Sequence, residues 1–60
     1  MALREYIVAY LGDLYRFYLD ESGEVVHVFF YADMGTREKE LDAEEVPRDV
    51  IEELERKYLS

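Results

Sequence analysis

Eight of the nine aromatic residues in this 60-residue chain fall between Tyr6 and Tyr31. Tyr6, Tyr10, Tyr15, Phe17, Tyr18, Phe29, Phe30 and Tyr31 are interleaved there with Ile7, Val8, Val25, Val26 and Val28. Aromatic and β-branched side chains suit a pleated, half-buried surface. Their number exceeds what one short helix can cover. The surplus points to a partner, foremost a second copy of the chain.

Residues 1–60 make one small domain. A chain this short buries only about 60% of its unfolded surface and is marginal alone. It contains no cysteine, so disulfides and thiolate metal sites are excluded. Oligomerisation is the staple that remains. No apolar run approaches the ~18 residues of a membrane span. The start, with Arg4 and Glu5 close behind Met1, lacks the layout of a signal peptide. A soluble, cytoplasmic protein is the expectation.

The net charge is −8 and unevenly spread. From Glu38 to Glu55, nine acidic residues stand against Lys39 and Arg48, a local balance of −7. Such a surface repels nucleic acid and anionic membranes, because binding DNA requires cations that displace counterions. It is either a solvated, solubilising surface or an acidic decoy that mimics nucleic acid towards a basic protein. Asn, Gln and Cys are all absent. Hyperthermophile proteins deplete these residues and enrich charge, so the bias reads as a thermostable natural chain or a designed one.

The C-terminal segment predicts a helix near 47–59. Val46, Val50, Ile51, Leu54 and Tyr58 share one side of a 3.6-residue period, opposite Arg48, Asp49, Glu52, Glu55 and Arg56. Pro47 suits the first helical turn, and Asp42 with Glu45 suits a capping-box-like turn before it. Residues 24–41 predict a hairpin through Ala32-Asp33-Met34-Gly35, a type I turn with Gly35 left-handed. Asp20-Glu21-Ser22-Gly23 has similar turn chemistry and implies a strand before it.

Residues 2–19 admit two readings. Leu3, Ile7, Tyr10, Leu11, Leu14, Phe17 and Tyr18 share half of a helical wheel, which allows a helix and an α-β-β-α order. The residue types favour strands, with Gly12 in the middle. A two-residue turn at Gly12-Asp13 sets Tyr10 opposite Tyr15 and Val8 opposite Phe17. Gly23 then sets Phe17 opposite His27 and Tyr15 opposite Phe29, and Gly35 sets Phe29 opposite Lys39 and Tyr31 opposite Arg37. These registers give two coherent faces. One carries Ile7, Ala9, Leu11, Leu14, Val26, Val28 and Phe30. The other carries Tyr6, Val8, Tyr10, Tyr15, Phe17, Leu19, Val25, Phe29 and Tyr31. The fold expected is therefore α+β: a four-stranded antiparallel meander, near 3–11, 14–20, 24–32 and 36–41, then the helix. The helix is expected on the aliphatic face, where Ala9 permits close approach.

No catalytic, cofactor or metal signature is visible. His27 is the only histidine, and Asp20, Glu21, Ser22 and Glu24 lack the spacing of a calcium loop. Ser22, Thr36 and Ser60 have no base spaced to activate them. Stacking of single-stranded nucleic acid on the aromatics would need a basic groove, and only Arg37 and Lys39 are expected beside them. The expected function is a non-enzymatic interaction module. Its expected homodimer interface is Tyr6, Tyr10, Tyr15, Phe17, Phe29 and Tyr31, and loss of Phe29 is expected to leave an unstable monomer.

Overall fold

The computed structural model describes residues 2–33, 35 and 37–59. Four antiparallel strands lie in sequential order: β1 (Arg4–Tyr10), β2 (Asp13–Leu19), β3 (Val25–Ala32) and β4 (Arg37–Leu41). A 3₁₀ turn over Ala43–Glu45 leads to helix α1 (Arg48–Leu54), which widens into a π turn over Glu55–Leu59. The meander with one C-terminal helix is the expected architecture. Met34, placed in the third turn, and Thr36, placed at the start of the fourth strand, lie outside the described residues.

The first 19 residues form two strands because the chain reverses at Leu11-Gly12. Both residues have positive φ, 51° and 84°, the backbone of the tight turn whose twist matches a hairpin. This turn lies one residue before the expected Gly12-Asp13. Tyr10 therefore pairs with Asp13, Val8 with Tyr15 and Tyr6 with Phe17. The shift of each pairing is two residues, a full pleat, so both strands keep the faces expected of them.

The second register fails by one residue, and that reverses a face. Leu19 pairs with Val25 as Gly23 requires, but Tyr18 pairs with His27, leaving Val26 unmatched. Val26 is a β-bulge. Beyond it, Phe17 meets Val28, Tyr15 meets Phe30 and Arg16 meets Phe29, in place of Phe17 with His27 and Tyr15 with Phe29. Val28 and Phe30 turn towards the helix, while Phe29 and Tyr31 turn away. The third pairing also differs, with Phe29 opposite Glu40 and Tyr31 opposite Glu38 rather than Lys39 and Arg37. Its turn is not type I, because Asp33 has φ 49°. Asp33 donates its N–H to Asp13 Oδ1 at 3.1 Å, which ties this turn to the start of β2.

The helix covers the face of Tyr6, Val8, Tyr15, Phe17 and Leu19, not the expected aliphatic face, and Ala9 lies on the opposite side. The core is Val8, Tyr15, Phe17, Leu19 and Val28 from the sheet, with Val46, Val50 and Leu54 from the helical segment. Large rings and branched residues on this face fill the space beneath a single helix. Glu45 Oε1 accepts the Asp42 N–H at 2.9 Å, and Val46 is extended before Pro47, as the sequence requires. Two tyrosines fasten the helix. Tyr10 donates to Asp49 Oδ2 at 2.9 Å near its start. Tyr58 donates to the Ile7 carbonyl at 2.8 Å near its end, with its ring 4.9 Å from that of Tyr6. The helix thus runs antiparallel to β1.

Two outcomes test these assignments. Deleting Val26 leaves Val25, Val28 and Phe30 inward and Phe29 and Tyr31 outward, so thermal melts should show a folded protein within about 1 kcal/mol of wild type. Leu11 is 84% exposed at positive φ, so Leu11→Asn should stabilise the fold by about 1 kcal/mol and raise Tm by about 4–8 °C.

Candidate interface

One face of the sheet has no helix over it. Strand pairing arranges it in three rows across β1 to β4: Ala9–Leu14–Tyr31–Glu38, then Ile7–Arg16–Phe29–Glu40, then Glu5–Tyr18–His27. Apolar and aromatic side chains occupy the two middle strands, and carboxylates stand on the outer two. Arg16 is the cation among them.

The polar groups of this face are tied to one another. Arg16 Nε lies 3.2 Å from Glu5 Oε2, and its guanidinium sits 5.3 Å from the centre of the Tyr31 ring. The Arg16 Nε is itself covered from solvent and makes no hydrogen bond, so its contact with Glu5 is one of charge. The Tyr18 hydroxyl holds the guanidinium above its ordinary pKa. Tyr18 also donates to Glu5 Oε2 at 3.0 Å, and Tyr31 donates to Glu38 Oε2. His27 Nδ1 lies 3.3 Å from Glu40 Oε2. Tyr18 meets the edges of His27 and Phe29 at centroid distances of 6.5 and 6.0 Å. The result is an aromatic ridge of Tyr18, His27 and Phe29 at one end of the face. At the other end Ile7, Leu14, Arg16, Tyr31 and Gly35 line a recess of about 160 Å³. That volume suits one side chain, below the ~300 Å³ at which small-molecule pockets begin.

The expected interface residues are divided by the bulge. Phe29 and Tyr31 are on the open face. Phe17 and Tyr15 are buried, at 0% and 7% exposure, and Tyr6 and Tyr10 pack beneath the helix. Arg16, Tyr18, Ile7 and Leu14 join Phe29 and Tyr31 instead. Sequence reasoning missed them because it set the helix over the face of Ile7 and Leu14, and because one residue of slip moves Phe29 and Tyr31 from the face of Tyr15 and Phe17 to theirs. Arg37 and Lys39 fall on the helix side, and Glu38 and Glu40 border the aromatics. A carboxylate border is the wrong sign for stacking nucleic acid.

Both sheet edges resist a second copy. On β1, the outward Ile7 carbonyl is taken by Tyr58. On β4, all cations share one face (Arg37, Lys39) and all anions the other (Glu38, Glu40). Any symmetric antiparallel pairing of two β4 strands therefore opposes like charges, which is destabilising.

The Asp20 loop is a turn. Its Oδ1 accepts from the Ser22 N–H at 2.9 Å, the Ser22 hydroxyl at 2.6 Å and the Glu24 N–H at 3.0 Å. These bonds hold the Asp20 carboxyl below the usual range. Among the described residues, no group of three or more His, Asp or Glu side chains is arranged to hold a metal. No described helix is long and apolar enough to cross a membrane. The chain matches no protein-family model, no curated protein and no solved structure.

Three phenols are held above the ordinary tyrosine value of about 10. Tyr10 is raised foremost by its hydrogen bond to Asp49, Tyr31 by its bond to Glu38, and Tyr15 by burial. A folded-state pKa above the unfolded one contributes stability that is complete below pH ~10 and lost as pH climbs through the raised values. Phenolate absorbance should therefore appear at higher pH in the folded protein than in urea, and stability should fall above pH ~10. Asp20, held low, acts in the opposite sense: its contribution is present above pH ~4 and lost as pH falls through its depressed value. Asp20→Ala should flatten the acid limb of the stability curve, measured by denaturation at stepped pH.

Proposed function

We propose that this chain is a non-enzymatic interaction module that self-associates through the open face of its sheet. The carrying observation is the uncovered surface of Ile7, Leu14, Tyr18, Phe29 and Tyr31. One helix covers one face, and the aromatic supply in this sequence furnishes both. The occupied Ile7 carbonyl on β1 and the single-sign faces of β4 disfavour strand addition at the edges and support the same reading.

The size of the face sets the strength of the contact. Four strands at ~4.8 Å spacing and about six residues at ~3.3 Å give a patch of roughly 20 by 20 Å. A dimer would bury about 800 Å² in total, below the roughly 1,200 Å² at which stable specific interfaces begin, so association is weak and transient, micromolar at best. The acidic-decoy alternative draws on exposed Glu44, Glu45 and Glu55. Against it, Arg48 and Arg56 lie within the same surface and pair with Glu52 and Glu53 at 3.5 and 2.5 Å.

Light scattering tests the proposal. The mass should rise from 7.2 kDa towards twice that value between ~10 µM and ~1 mM protein, the range of a weak interface. Phe29→Glu should abolish the rise, an anchor loss of about 2 kcal/mol or roughly 30-fold. Because Phe29 is outside the core, this variant should remain folded, unlike the unstable monomer expected from sequence. Phe17→Ala should instead destabilise the fold itself, by about 3–5 kcal/mol out of the about 3–9 that a 60-residue domain holds. A wild type that stays at 7.2 kDa throughout sinks the proposal. A basic partner released by moderate salt would favour the decoy instead.

A further inference from the structure

We propose that the second copy seats on the open face about a two-fold axis parallel to the strands, between β2 and β3. Each copy's Arg16 then lies over the partner's Phe29. This rests on the self-association reading and specifies its geometry.

Two sheets packed face to face in near-aligned fashion offer a two-fold axis along the strands or across them. An axis across the strands carries every strand onto its own copy. The open side of β4 displays only Glu38 and Glu40, so carboxylates would then face carboxylates whatever the register. Arg16, in the middle row of β2, would face or neighbour the other Arg16. Like charges brought together across ~10 Å of water-excluded interface repel strongly.

An axis along the strands removes the carboxylate conflict and offsets the two Arg16 side chains by one strand spacing, ~4.8 Å, so that they no longer face each other. It lays β2 over β3 of the partner and β1 over β4. Arg16 meets the ring of the partner's Phe29, the arrangement of a cation–π contact. The partner's Glu40 is one strand away and offers the guanidinium a second carboxylate beside Glu5. Leu14 meets the partner's Tyr31, so the recess beside Arg16 receives an aromatic side chain of matching size. Glu38 and Glu40 fall over Ala9 and Ile7 at the rim, where water still reaches them. Charge complementarity thus selects one of the two axes.

The cysteine-free chain allows a direct test with Ile7→Cys and Glu40→Cys, both at exposed positions. Under the proposed axis, positions 7 and 40 face each other across ~10 Å, while the two copies of position 7 lie three strand spacings, or ~14 Å, apart sideways. A short bifunctional thiol reagent, applied where wild type is dimeric, should link a mixture of the two variants at least tenfold more than either alone. Strong self-linking of Ile7→Cys would place the axis across the strands and overturn this inference while self-association stands. Dimeric mass with none of these links would place the contact elsewhere and overturn both. A monomeric mass at every concentration would likewise remove both.

Discussion

Val26 has no partner across β2 and β3, and that single unpaired residue decides which aromatics become core. A strand alternates its side chains strictly, so one extra residue exchanges the faces of everything beyond it. With the bulge, Val25 and Val28 both point inward although they are three residues apart. Phe30 then joins Tyr15 beneath the helix, with ring centroids 5.1 Å apart. Phe29 and Tyr31 are left outside beside Arg16. Were Val26 paired in a regular ladder instead, β3 would turn Val28 out of the core and bring in Phe29 and Tyr31, whose larger rings have less room under one short helix.

The helix is attached as much by polar reach as by apolar contact. Val46, Val50 and Leu54 supply the buried area, but their contact is non-directional and leaves the helix free to slide. Tyr10 and Tyr58, bonding in opposite directions between β1 and the helical segment, fix its axis and its position along the strand. The π turn carries Tyr58 to the edge of β1, where its hydroxyl occupies a carbonyl that would otherwise invite another strand. One residue thereby anchors the helix and takes one of that edge's carbonyls.

Charge is sorted by face rather than averaged over the molecule. The alternation Arg37, Glu38, Lys39, Glu40 is electrically balanced along the chain, yet each side of β4 has one sign. On the open face this leaves acidic outer strands and one central cation, held by Glu5 and Tyr31. A surface with an aromatic centre and a charged border is organised for an oriented contact, because the border penalises registers that the centre would accept.

Sequence by itself determined the elements. The spacing of Val46, Val50, Ile51 and Leu54 demanded a helix, and glycines at 12, 23 and 35 marked the reversals between β-prone runs. The faces of β1 and β2 were legible too, since an error of two residues at the first turn preserves alternation. Tertiary structure alone decided where the helix lies and which aromatics face outward. Val25, Val26 and Val28 are chemically alike, so no local preference says which of them the ladder omits. That choice is made by volume: the register that wins is the one whose inward side chains fill the space beneath the helix. The open face, with Arg16 between Ile7 and Phe29, exists only once that packing is settled.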